Sequence, residues 1–290
     1  VDDPVMPRSV GIRFSHATLQ VLAEDSGVDL LHVKGPSVDD RLAGGERQSI
    51  DADVLVRPSH VHRLLSAMHG HGWTTMYRFE DGSAFEHAST LVHAVLAPVD
   101  VHRSFPGVDG GEAAFDRLWA DRHVSDIAGV ACPVPSLAAQ RLLLIVHAAR
   151  AGALASPDVR RSWDEATDEE REELLALARD VGAEVALAAG TGRLGGFTDR
   201  PGHDLWRVLS TRETSRARIL LARVRAAPTR RAKVRTTIHL LVPNRRRMER
   251  RLGRPPTPRE LAAAYFSRSR AGARELVILL RAAARERRGR

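Results

Sequence analysis

Asp51-Ala52-Asp53-Val54-Leu55-Val56 decides how this chain is read. It has the make of a short apolar strand with one acid at its start and another two residues on. Strand side chains alternate with period two, so Asp51 and Asp53 share one face and Ala52, Val54 and Val56 share the other. Val99-Asp100-Val101-His102 repeats the pattern later in the chain. A sheet holding both strands can bring Asp100 beside the Asp pair. Carboxylates at the mouth of a buried strand are costly unless paired, and three that converge repel one another unless a cation sits among them. Hard oxygen ligands of this kind suit Mg²⁺, which in turn holds triphosphates. The expected chemistry is therefore metal-dependent and draws on a nucleoside triphosphate.

Working outward, Asp29–Val33 is a short apolar strand that breaks at Lys34-Gly35-Pro36-Ser37. Gly35 permits close backbone approach, and Ser37 offers a hydroxyl and an amide to phosphate oxygens. Lys34 and Arg47 are two further candidates for phosphate contact. Asp100 is read either as a third metal ligand or as the base for the incoming nucleophile, which needs only hydrogen-bond reach. His102 faces the same side as Asp100. It either touches substrate or phosphate, or is a satisfied sheet histidine.

The remaining pattern places these strands in an α+β protein. Residues 7–26 have helical spacing and end near Gly27. Pro58-Ser59 starts a helix to about Gly70, with Ser59 as its expected N-cap. Trp73–Phe79 reads as a strand, and residues 88–104 as two strands broken at Ala97-Pro98. A helix over 111–121 precedes a hairpin, His123–Ile127 and Val130–Val134, turned at Ala128-Gly129. Strand–helix alternation to about residue 135 predicts one mixed sheet covered by helices. From Ser136 onward only helices are expected, so the chain divides into 1–135 and 136–290. Gly190–Gly202 is the best linker, and Thr257-Pro258 opens a last helix to about Arg288. Trp163, Trp206, Tyr265 and Phe266 fall in helical periodicity and are expected to pack.

Composition bounds the class. Of 290 residues, 43% are hydrophobic and 28% charged, as in a globular protein with a proper core. No apolar run reaches the roughly 18–20 residues of a membrane span, so no membrane partner is expected. The N-terminus lacks a secretory pattern, and one cysteine, Cys132, fits a reducing compartment; the expected location is cytoplasmic. Charge is lopsided: residues 201–290 carry 25 basic and six acidic side chains, residues 1–200 carry 19 and 30. The arginine clusters at 245–254 and 281–290 fit docking within the chain or across a homodimer, nucleic acid, or an anionic small substrate or peptide.

Taken together, Lys34-Gly35-Pro36-Ser37, Arg47 ahead of Asp51-Ala52-Asp53-Val54-Leu55-Val56, Gly72-Trp73, Val99-Asp100-Val101-His102 and Leu142–His147 resemble the uncharacterised nucleotidyltransferase family of the polymerase-beta-like superfamily. The resemblance covers about residues 7–180. It implies a minimal mixed sheet bearing all three acids, followed by an all-helical domain that closes over the nucleotide. Asp51, Asp53 and Asp100 would be catalytic and would ligate two Mg²⁺ ions. Lys34, Gly35, Ser37, Arg47 and His102 would line the nucleotide site. The implied reaction moves a nucleoside monophosphate from an NTP to a small-molecule or peptide acceptor, as in natural-product tailoring. Rival readings are a toxin-type enzyme acting on tRNA or protein, and a transferase or binder using another activated donor. One departure stands out: Pro36 separates Gly35 from Ser37 and donates no amide hydrogen.

Overall fold

The computed structural model describes residues 6–45, 49–82, 85–212, 216–227, 229–243, 245–270 and 273–274. Two compact units form: residues 1–149 with 153–192, and residues 150–152 with 193–290. The division after Gly192 falls inside the Gly-rich stretch expected to act as a linker.

In the first unit, helix α1 (Arg8–Ser26) ends on Gly27, whose φ of +62° closes the helix in the left-handed conformation that glycine adopts without strain. Strands β1 (Leu30–Val33), β2 (Ala52–Val56), β3 (Thr74–Tyr77), β4 (Ala88–Val92) and β5 (Val99–His102) make a mixed sheet in the order β1-β2-β5-β4-β3. Only β2 and β5 run parallel; the other neighbours are antiparallel. Between β2 and β3 lies α2 (Val61–Gly70). Its expected cap at Ser59 is not formed. A 3₁₀ turn over Pro58–His60 leads into the helix, and the Ser59 amide donates instead to Glu112 Oε1 at 2.7 Å.

The sheet sorts its residues by face. Ala52, Val54, Val56, Val99 and Val101 lie in one core with Leu19 and Leu22 of α1 and Leu64 and Met68 of α2. Burial of this kind contributes about 25 cal/mol per Å² of apolar surface removed from water, and it is what fixes the strand register. The alternate residues Asp53, Asp100 and His102 are thereby turned to the opposite face.

Helix α3 (Glu112–Ala120) is tied back by Arg57, which bonds Asp29 Oδ2 at 2.8 Å, Asp116 Oδ1 at 2.6 Å and Glu112 Oε2 at 3.2 Å. The hairpin β6 (His123–Ile127) and β7 (Val130–Val134) turns at Ala128 and Gly129, both at positive φ. Helix α4 (Leu137–Arg150) is buried along most of its length, and α5 (Asp168–Asp180) opens with a capping box of Thr167 and Glu170. Arg141 of α4 donates to Glu170 Oε2 and to the Arg161 carbonyl, each at 2.7 Å. A short helix, α6 (Glu184–Gly190), completes the unit.

The second unit is helical: α7 (His203–Ser210), α8 (Arg216–Ala226), α9 (Arg230–Leu241), α10 (Arg245–Leu252), and helix again over 258–270. Trp206 is buried as expected, but Tyr265 and Phe266 are 44% and 70% exposed, so the packing role expected of that pair is corrected. Neighbouring positions 262, 263, 267, 268 and 270 are exposed too, so that turn has no buried face for them to join. The arginines at 281–290 lie outside the described residues. Among the described residues no helix is long and apolar enough to cross a membrane.

Candidate active site

Parallel pairing of β2 with β5 sets Asp53 directly opposite Asp100, and Leu55 opposite His102. The antiparallel neighbour β4 sets Thr90 opposite Asp100 on the other side. Three strands thus deliver Asp53, Asp100, His102 and Thr90 to one patch. Ligand atoms of Asp53, Asp100 and His102 lie within 4.8 Å of one another.

Asp53 is the hub. It is 4% exposed, and its Oδ1 accepts from Lys34 Nζ and from His102 Nε2, both at 2.6 Å. Burial alone would push this carboxyl up. The Lys34 charge and the His102 hydrogen bond outweigh burial and hold it well below the usual carboxylate range. Asp51, at the lead-in to β2, has the opposite balance. Burial and the charges of Asp53 and Asp100 push its carboxyl up to about 6, and Lys34 offsets only part of that. Asp100 Oδ1 accepts from the Thr90 hydroxyl at 2.5 Å. Among the described residues, three carboxylates are therefore in one field with the single ammonium of Lys34.

The turn after β1 aims that ammonium. Lys34 has φ +59° and ψ −170°, a backbone conformation that a side-chain-bearing residue rarely adopts. Gly35 follows at φ +49°, and a Cβ there would stand 3.3 Å from Ser49 Oγ. Both donors of Ser37 are spent on the Lys34 carbonyl: the hydroxyl at 2.6 Å and the amide at 3.1 Å. The hydroxyl expected to face a phosphate thus closes the turn instead. Pro36 fits the same turn because its fixed φ suits the first turn of a 3₁₀ helix, where its missing N–H has no partner to lose.

The structure therefore brings Lys34, Asp53, Asp100 and His102 together, with Gly35 and Ser37 forming the turn beside them; Asp51 is in the same electrostatic field but outside the group of converging ligand atoms. His102 is 2% exposed and its Nε2 bonds Asp53, which makes it a partner of the acid in this structure. Arg47 lies outside the described residues. Thr90 was not singled out from the sequence, because its place opposite Asp100 depends on the β4–β5 register.

The family profile of uncharacterised nucleotidyltransferases matches residues 8–194. This chain belongs to that family. It is a nucleotidyltransferase, and the matched span holds the sheet, the Lys34 turn and all three acids. No curated protein matches the sequence. Several solved structures are similar, three of which follow. The antibiotic-resistance factor ANT(2'')-Ia is 15% identical, covering 66% of this chain and 96% of its own, with a TM-score of 0.38. The lincosamide antibiotic adenylyltransferase LnuA, lincomycin-bound, is 15% identical over 62% of this chain and 100% of its own, with a TM-score of 0.33. An antigenic nucleotidyltransferase-like protein from Paracoccidioides brasiliensis is 14% identical over 64% of this chain and 95% of its own, with a TM-score of 0.38.

Proposed function

We propose that this nucleotidyltransferase moves a nucleoside monophosphate from an NTP to a small-molecule or peptide acceptor, and that it uses divalent metal, Mg²⁺, to do so. The observation that carries this reading is the charge deficit of the site. Asp51, Asp53 and Asp100 share one field, and Lys34 with His102 satisfies only one oxygen of Asp53. Oxygen ligands around that deficit fit Mg²⁺ better than a softer ion. Asp51, Asp53 and Asp100 would hold it. When bound, such an ion supplies charge stabilisation to the transferring phosphoryl group and to the leaving pyrophosphate.

The chain's own residues do the rest. Lys34 and His102 keep Asp53 ionised and fixed in direction. The acceptor oxygen forms a bond to the α-phosphorus while the bond to the β-phosphoryl oxygen breaks and pyrophosphate leaves. Asp100, anchored through Oδ1 by Thr90, keeps its second oxygen for the acceptor hydroxyl and takes its proton. Gly35 and the turn it belongs to give a phosphate close access to backbone beside Lys34.

The test is incubation of the full chain with labelled NTPs, Mg²⁺ and a cell extract, followed by mass spectrometry. The expected result is an acceptor heavier by one nucleoside monophosphate, formed with release of pyrophosphate. Transfer of a different group, or none with any NTP, contradicts the proposal. A second reading, a tRNA or other RNA acceptor, is favoured by the excess of 25 basic over six acidic side chains in residues 201–290. It predicts acceptor binding that weakens steeply as salt is added.

A further inference from the structure

One carboxylate oxygen of the site is fully used. Asp53 Oδ1 accepts from Lys34 Nζ and from His102 Nε2, each at 2.6 Å. Such an oxygen offers two lone-pair directions, so both are taken. Ligand atoms of Asp53, Asp100 and His102 nonetheless lie within 4.8 Å of one another, close enough to share one ion. An ion that takes Oδ1 has to displace one of the two donors. An ion on Oδ2 would still face the ammonium across the width of one carboxylate, two like charges on one acid.

The two donors are unequal. His102 is a rigid ring on β5, 2% exposed, with the His87 and Phe105 ring centroids 5.3 and 5.8 Å from its own. Lys34 reaches Asp53 on a flexible four-carbon stem, and its side chain is 15% exposed. Its backbone is held, because the Lys34 carbonyl accepts the hydroxyl and the amide of Ser37. The Phe105 ring, its centroid 5.7 Å from Nζ, covers the ammonium on one side. Gly35 follows directly in the chain at φ +49°. Movement of the ammonium is thus rotation about its own stem, beside the turn where a phosphate has close access to backbone.

Charge and residue type point the same way. Among the described residues, three carboxylates and one ammonium leave two negative charges in the field. One divalent ion makes up that difference. The ammonium then finds more negative charge on a triphosphate than on an acid already coordinated. Lys34 and Lys233 are the two lysines among 44 lysines and arginines. An arginine would grip a carboxylate through two parallel bonds and give it up less readily.

We propose that Lys34 is an exchangeable cation: it yields Asp53 Oδ1 to a divalent ion and turns its ammonium to the phosphates of the NTP, while His102 keeps its hold on Asp53. The exchange rests on the metal-site reading above. It makes metal and NTP each favour the other, and that coupling is reciprocal. It also gives Lys34 an effect opposite in sign to plain support of Asp53, because toward the ion alone Lys34 is a competitor.

The test titrates Mn²⁺ into the full chain and into Lys34→Met by calorimetry, with and without a non-hydrolysable NTP analogue. Methionine keeps nearly the length of the stem and drops the charge. Mn²⁺ alone is expected to bind Lys34→Met roughly ten- to a hundredfold more tightly than the wild type, the range of one charged hydrogen bond. With Mn²⁺ present, the analogue should bind Lys34→Met about tenfold more weakly. A second readout follows the lysine itself and serves even if Lys34→Met fails to fold. Lys233→Arg leaves Lys34 as the only lysine, so ¹³Cε-labelled lysine gives one NMR signal. Mg²⁺ alone should shift that signal, and the analogue with Mg²⁺ should shift it again. If the wild type binds Mn²⁺, unchanged or weaker binding by Lys34→Met, or a Lys34 signal that Mg²⁺ leaves in place, overturns the exchange and leaves the metal site standing. Failure of both the wild type and Lys34→Met to bind Mn²⁺ overturns the metal site and the exchange with it.

Discussion

The two faces of β2 and β5 are built from alternate residues of the same two strands, and they are opposites. One face is Ala52, Val54, Val56, Val99 and Val101, packed under α1 and α2. The other carries Asp53, Asp100 and His102, whose ligand atoms lie within 4.8 Å of one another. The apolar face fixes the register, and the register then forces the acids into proximity that they would not choose in solution. Repulsion at the site is thus borne by packing on the reverse side. The same contrast recurs within the acids. Asp53 is held ionised by two bonds, whereas burial and its acidic neighbours push the Asp51 carboxyl up to about 6.

That contrast can be broken from either side. The largest effect is expected from Asp53→Asn, which removes the acid around which Lys34 and His102 are arranged. Nucleotidyl transfer should fall by more than about 100-fold, the upper range for loss of a residue that merely supports a metal ligand. A labelled-NTP assay checks it, with circular dichroism expected to show an unchanged fold. Lys34→Met removes one of the two bonds to Asp53 Oδ1 and should lower the rate roughly 10–100-fold, in line with a lost charged hydrogen bond. On the opposite face, Leu64→Ala should cost about 2–5 kcal/mol of stability, read from denaturant midpoints. Its rate per folded molecule should stay close to wild type.

The smallest expected effect is a pH dependence that belongs to the apolar side. His16 sits buried with its imidazole held down to about 4, by burial first and by Arg13, against an opposing pull from Asp53; His32 is lowered by burial and by His16. The unfolded chain binds protons at both rings below pH 6.5 that the folded chain refuses. Asp51, pushed up to about 6, takes up a proton in the folded chain over the same window and offsets part of this, so stability should fall as pH drops from about 6.5 toward 4 by less than the two histidines alone would give, and stay level above that window. Asp53, whose carboxyl is depressed, adds stability that is lost only at lower pH, as it becomes protonated. Urea midpoints at pH 7.5 and 5 check the histidine part, and His32→Gln should flatten the slope.

Much of this was legible in the chain itself. Period-two alternation in 52–56 and 99–102 was enough to turn Asp53 and Asp100 to one face, because side-chain direction in a strand is a local property; Asp51 lies one residue ahead of β2 and outside the group of converging ligand atoms. The hairpin at Ala128-Gly129 and the stop at Gly27 were legible for the same reason. What the sequence hid depends on which strands become neighbours. Thr90 gains its role only because β4 pairs with β5 in one register. His16 and His32 are 16 residues apart and meet only when α1 lies across β1. Ser37 has the residue type of a phosphate ligand, yet the turn bends its donors inward onto Lys34. Ser59 looked like a helix cap, but the 3₁₀ turn over Pro58–His60 puts His60 in the place before the helix, and Ser59 bonds Glu112 from a distant helix.

The central claim is that the deficit left by Asp51, Asp53 and Asp100 is filled by a divalent ion together with a nucleoside triphosphate. Calorimetric titration of Mg²⁺ with each NTP into the wild type and into Asp51→Asn/Asp53→Asn addresses it most directly. The account predicts saturable NTP binding that requires Mg²⁺ in the wild type and is abolished in the double variant. Equal binding with and without Mg²⁺, or binding that survives loss of both acids, would contradict it.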